Sequence, residues 1–224
     1  SDFGVMNWVV QQWGVKAVIE AGTSAKDHLR AAIQLLSPGA PVRYVYSHTG
    51  WRTIDRQPVY LGAAGAVGRE GIEVRLPQDL ARYRLPVHPE RPREAMEASL
   101  RFLDVGDYGV TFPLWAAMYL APLSSIVEPA FTLWIFGTTG GMKSTTAALA
   151  LCHYGAFTYN SPPGSWTGTA NALEKKACLI KDAPLWIDDY TAQNTLSGAN
   201  ELKTKTDQLL RVWGNRAGKS RMRS

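Results

Sequence analysis

A lysine followed at once by a hydroxyl, behind a run of glycines and threonines, is an arrangement that can hold phosphate. The residues are Gly137, Thr138, Thr139, Gly140, Gly141, Met142, Lys143, Ser144 and Thr145. In a loop of this kind backbone N–H groups point at phosphate oxygens, the lysine amine binds the β- and γ-phosphates, and the hydroxyl, here Ser144, ligates Mg²⁺. A helix starting at Lys143 would add the partial positive charge of its N-terminus. One position departs from the usual G-x-x-x-x-G-K-[ST] spacing: Met142 stands where the last glycine belongs. A side chain there calls for an ordinary φ, with Gly140 and Gly141 taking up the tight turn. The bland alternative is a glycine-rich turn ahead of a helix that binds nothing.

A second group bears on that choice. Residues 183–190 read as a short buried strand that ends in two carboxylates, Asp188 and Asp189. A phosphate-hydrolysing site needs one carboxylate in the shell of its Mg²⁺ and commonly a second to orient or deprotonate the attacking water. Asp188 suits the metal and Asp189 the water, although the shorter aspartate side chain there calls for a bridging water where a glutamate is more usual. Alone, an Asp-Asp turn after a strand is common. Together with the glycine loop it points to a nucleotide and Mg²⁺.

The elements that must position these groups are legible around them. Residues 131–136 are a continuous apolar run, suited to a central parallel strand covered on both faces. Residues 143–151 are good helix formers, with a stop near Gly155. Residues 165–174 open a helix that runs to Ile180, and their Ser/Thr/Asn content suits its cap. Trp166, in the same stretch, is either core or a contact to a partner subunit or nucleic acid. A last helix covers about 199–213.

Ahead of the loop, 7–18 and 24–36 look helical, the second stopped by Ser37-Pro38-Gly39. Residues 42–46 are β-rich. Residues 51–54 and 59–61 flank Asp55-Arg56-Gln57-Pro58 as a hairpin, followed by a turn over 62–68 and a strand over 71–76. Residues 94–103 have helical spacing. Residues 108–127 are the most membrane-like stretch, but Pro113 and Pro122 break it, so it reads as a buried helix with proline ends.

Composition narrows the classes. With 224 residues, 46% of them hydrophobic, the chain can bury a true core and is not a disordered segment. Its 19% of charged residues is low for a soluble domain and favours a surface buried against partners or copies. Cys152 and Cys178 have no paired spacing, and the four histidines are scattered, so neither a disulfide framework nor a zinc site is indicated. No secretory signal opens the sequence, and a cytoplasmic, reducing compartment is expected. From Arg211 to the end, Arg211, Arg216, Lys219, Arg221 and Arg223 meet no acid, a basic cluster that can bind nucleic acid or reach a bound phosphate, or be a solvated helix end.

At these residues the sequence resembles the P-loop ATPases of primase-helicase-like proteins from phages, plasmids and other mobile elements, a group with a helicase-associated domain of unknown function. The resemblance spans most of the chain. It is carried by 137–145, by 165–174, by Lys181-Asp182-Ala183-Pro184-Leu185-Trp186-Ile187-Asp188-Asp189 and by Gly214-Asn215-Arg216-Ala217-Gly218, with weaker pieces at 26–30 and 49–52. It implies an α/β fold: a RecA- or AAA+-like parallel-sheet core over 129–224, incomplete at its C-terminal end, behind a smaller α/β accessory domain over 1–128. The chain is accordingly expected to be a piece of a longer protein and weakly active by itself. The resemblance further implies ATP and Mg²⁺, DNA as the track of a helicase-like motor, and a homo-oligomer, in related motors a ring. In such rings an arginine from a neighbouring subunit offsets charge on the γ-phosphate; Arg211 and Arg216 are the candidates. The rival expectations are a nucleotide-controlled assembly switch without unwinding activity, and a non-enzymatic DNA-binding piece.

Overall fold

The computed structural model describes residues 7–16, 22, 24–39, 43–129, 131–191 and 195–214. The chain divides into two compact units, Ser1–Arg43 and Tyr44–Ser224. The first holds α1 (Asn7–Trp13), a 3-10 turn at Gly14–Lys16, and α2 (Ala25–Leu36), which ends at Ser37 ahead of Pro38.

The second unit opens with short strands. β1 (Val45–Tyr46) pairs in parallel with β5 (Glu73–Val74). β2 (Gly50–Ile54), β3 (Gln57–Gly62) and β4 (Gly65–Val67) form an antiparallel meander, with Trp51 opposite Tyr60 and Leu61 opposite Ala66. The hairpin turn falls at Asp55 and Arg56, both with positive φ (49° and 66°), the conformation a two-residue hairpin demands.

Helices follow. α3 (Pro92–Arg101) begins with proline in its first turn, where no N–H is missed. α4 (Tyr108–Leu120) is capped by the Asp107 side chain, which accepts from the Gly109 amide at 2.7 Å. Pro113 lies inside α4 rather than at its end. The helix is also only half covered: Thr111, Leu114 and Met118 face the core, whereas Tyr108, Val110 and Phe112 are exposed. An apolar composition on every side says that a helix wants cover, and not which of its faces receives it.

α5 (Lys143–Leu151), α6 (Ala170–Leu179) and α7 (Leu196–Gly214) stand where the sequence puts helices. β6 (Gly164–Ser165) and β7 (Ile187–Asp188) pair in parallel, Ser165 opposite Asp188. The architecture is therefore mixed α/β, with small sheets of two, three and two strands among the described residues. Residues 131–136 differ from expectation. They run without assigned strand structure and join no ladder, and Phe136 is 92% exposed. A run of five apolar residues broken only by Thr132 reports a need for neighbours, and among the described residues no strand lies beside it to supply hydrogen bonds.

The main core joins residues on both sides of position 128. Tyr60, Leu80, Tyr83 and Phe102 pack with Leu114, Met118, Leu151, Tyr154, Phe157 and Ile180. The border between compact units falls after Arg43, and one continuous core crosses the border expected at 128. No helix among the described residues is long and apolar enough to cross a membrane.

Candidate functional site

The loop ahead of α5 is held by its own turn and by the lysine that follows it. The Gly141 amide donates to the Thr138 carbonyl at 3.2 Å, and Gly140 sits at φ 83°. Lys143 curls back over the loop, its Nζ donating to the carbonyls of Gly137 at 3.0 Å and Thr138 at 2.7 Å. The amides of Thr139, Gly140 and Met142 have no protein acceptor among the described residues, so the loop keeps donors to offer an anion.

Met142 corrects one expectation. Its backbone is left-handed, φ 53° and ψ 21°, so Gly140 and Gly141 do not absorb the whole turn. The position adopts the conformation for which glycine is the usual residue, and a methionine there carries strain. Its side chain is 73% exposed, while its carbonyl starts the helix by accepting from the Thr146 amide at 2.8 Å and Thr146 Oγ1 at 3.0 Å.

The second half of the site arrives along β7. Ser144 Oγ donates to Asp188 Oδ2 at 2.7 Å, so the hydroxyl beside the lysine and the first carboxylate of the pair meet, although distant in sequence. The Asp189 amide donates to Asp188 Oδ1 at 3.0 Å. Asp189, exposed and at φ 65°, turns away from the strand, and its Oδ2 accepts from Ser165 Oγ at 3.2 Å. Ser165 also bonds Thr167 Oγ1 at 2.7 Å. A continuous polar chain thus runs from Ser144 through Asp188 and Asp189 to Ser165 and Thr167.

What holds β7 in place comes from far away in sequence. The Thr49 amide donates to the Leu179 carbonyl at 2.9 Å and Thr49 Oγ1 to the Lys181 carbonyl at 2.8 Å. Tyr60 OH donates to the Asp182 carbonyl at 2.6 Å and Tyr83 OH to the Pro184 carbonyl at 2.7 Å. The Asp182 carboxylate accepts from the Trp51 amide and from Ser124 Oγ, each at 2.9 Å. Burial is the main cause that pushes the hydroxyl pKa of Tyr60, Tyr83 and Tyr154 far above the ordinary tyrosine value, so all three act as neutral donors. Segment 179–184 is thereby fixed before the chain reaches Asp188.

From below, Thr169 caps α6, its hydroxyl accepting from the Ala172 amide at 3.2 Å. Lys205 of α7 donates to the Trp166 carbonyl and, at 2.9 Å, to that of Gly168. Trp166 itself is core, 5% exposed and packed with Leu173 and Leu209.

Lys143, Ser144, Thr145, Asp188 and Asp189 therefore gather at one place, beside 137–142. Arg211 is exposed in the last turn of α7, and Arg216 with the rest of the basic tail lies outside the described residues. Sequence reasoning gave Ser165 only a capping role. Its link to Asp189 follows from the β6–β7 register, which no local pattern encodes. No cluster of three or more His, Cys, Asp or Glu suited to a metal occurs among the described residues. A hard divalent ion would here be held by Ser144 and Asp188 together with phosphate oxygens, and Mg²⁺, which takes few protein ligands and all of them oxygen, fits that donor set.

Neither a curated protein nor a solved structure matches the chain. A family does: residues 17–202 match the domain of unknown function DUF927, and the chain belongs to that family.

Proposed function

We infer that this protein binds ATP with Mg²⁺ on 137–145 and hydrolyses it, as the cytoplasmic motor domain of a helicase-like, oligomeric DNA-processing protein with a P-loop fold. The observation that carries the nucleotide reading is the 2.7 Å contact between Asp188 and Ser144, the residue next to Lys143, whose amine lies over the loop carbonyls. A hydroxyl, a carboxylate and an ammonium group at the start of one helix are the three groups a metal–triphosphate needs.

Bound Mg²⁺ would neutralise charge on the terminal phosphates. The chain's own residues do the rest. Lys143 exchanges the carbonyls of Gly137 and Thr138 for phosphate oxygens, which frees the loop to close on an anion. Ser144 and Asp188 present their oxygens to the metal. Asp189, held by Ser165, accepts a proton from water or orients it. The DNA part of the reading rests on the resemblance and the basic C-terminal residues, and an arginine in trans, Arg211 or Arg216, belongs to the same part.

Binding of a fluorescent ATP analogue, with and without Mg²⁺, tests the site. Lys143→Ala is expected to weaken binding about tenfold or more in both conditions, a loss of ~1.4 kcal/mol or more. Asp188→Ala is expected to abolish the advantage that Mg²⁺ gives while leaving metal-free binding in place. Equal binding by wild type and Lys143→Ala would overturn the reading. A hydrolysis rate that DNA leaves unchanged would remove the motor and favour an assembly switch.

A further inference from the structure

Each of the three segments that build the site ends in a large ring, and the rings meet. Trp134 lies three residues before Gly137, Trp166 follows Ser165, and Tyr190 follows Asp189. The indoles of Trp134 and Trp166 are nearly parallel, 16° apart in plane and 5.9 Å between centroids. Tyr190 stands edge-on to both, at 5.1 Å from Trp134 and 5.3 Å from Trp166. Trp166 is buried, while Trp134 is 45% and Tyr190 48% exposed. The result is a stack with a fixed lower ring and an open upper one. Such a surface can be extended by one more planar ring, a stacked base.

We propose that Trp134, Trp166 and Tyr190 form a stacking platform for a base of single-stranded nucleic acid. This rests on the placement of the phosphate site at 137–145 and names a partner contact beside it. The base is not that of the bound nucleotide. Tyr190 and Trp166 adjoin Asp189 and Ser165, the end of the site assigned above to the metal and the attacking water and hence to the terminal phosphate, and a nucleotide's own base is separated from that phosphate by two further phosphates and a sugar. Duplex bases are covered by their neighbours, so a free face for stacking comes from a single strand. The Lys205 ammonium, tied to the Trp166 carbonyl, places a cation next to the platform, and the net charge of +5 favours a polyanion.

The geometry also connects this platform to the proposed site. Trp166 N donates to the Asp188 carbonyl at 2.8 Å, and Ser165, its neighbour, holds Asp189. A base seated on the rings would therefore rest against Ser165 and Trp166, which are bonded to the two aspartates of the proposed site.

The test is titration of the 224-residue chain with oligo-dT and with an abasic oligonucleotide of equal length, read by tryptophan quenching and by anisotropy of an end label. Oligo-dT is expected to quench and to bind more tightly than the abasic strand. Trp134→Ala and Tyr190→Ala are each expected to weaken oligo-dT binding by roughly tenfold, while Trp134→Phe, which keeps a ring, stays within about threefold of wild type. Equal affinity for the two strands, or alanine variants that bind oligo-dT as wild type does, would overturn the platform. Binding of Mg²⁺–tripolyphosphate, which has no base, is measured in parallel. Its loss in wild type with oligo-dT binding intact would sink the phosphate site and leave the platform standing, and the reverse pattern would sink the platform alone.

Discussion

Met142 holds a left-handed backbone with an exposed side chain, so its strain is offset by no burial. A non-glycine residue in this region costs on the order of 1–2 kcal/mol, part of which a glycine would give back through greater freedom in the unfolded chain. Met142→Gly is therefore expected to stabilise the protein by about 1 kcal/mol, a rise of about 2–4 °C in Tm, measured by thermal unfolding. An unchanged or lower Tm would show that the methionine makes up its strain elsewhere. The sequence shows the departure from the usual spacing but not its φ, because the conformation follows from the start of α5 and the Thr138–Gly141 turn together.

At the scale of elements, the tightest junction is where the end of α5 passes the segment after β5. A 3-10 turn at Cys152–Tyr154 leads into Gly155, at φ 150°. A Cβ there would stand 1.9 Å from the Arg82 carbonyl oxygen and 2.9 Å from the Arg84 amide. Both are backbone atoms, so neither can swing aside. Gly155→Ala is expected to cost about 3 kcal/mol or more, seen as a lower urea midpoint. A loss within about 0.5 kcal/mol would mean that the two segments separate freely. The sequence shows Gly155 as a helix stop, which it is; its second duty, the close pass by residues 82–84, is a long-range fact. The same division holds elsewhere. α5, α6, α7 and the β2–β3 hairpin are local in origin and legible, since periodicity, caps and turn residues act over a few positions. The 131–136 segment was misread because apolarity reports a demand for cover, and the pairing of β6 with β7 was invisible because a two-residue parallel ladder leaves no pattern.

Across the molecule, three phenols share one buried environment. Tyr60, Tyr83 and Tyr154 keep their protons far above the usual tyrosine range, chiefly through burial, with negative charge at Asp182 adding to the effect on Tyr60 and Tyr154. A group whose folded pKa exceeds its unfolded one supports the fold fully below the unfolded value and loses that support progressively as pH rises from there through the folded value. Stability is thus expected to be insensitive to these groups up to pH about 10 and to fall steeply above it, with tyrosinate absorbance appearing together with unfolding. Tyrosinate that formed near pH 10 from all nine tyrosines while the fold persisted would contradict the burial.

The placement of those phenols has a further meaning. Tyr60 and Tyr83 donate hydrogen bonds to the main-chain carbonyls of Asp182 and Pro184, a few residues before the carboxylates. A split gene that supplied 44–128 and 129–224 as separate polypeptides would leave β7 without its anchors until the pieces met. If 137–145 and Asp188 act as proposed, substitutions at Tyr60 or Tyr83 would surface as weaker Mg²⁺-dependent nucleotide binding, and a genetic screen for lost activity would return hits in a stretch outside the proposed site.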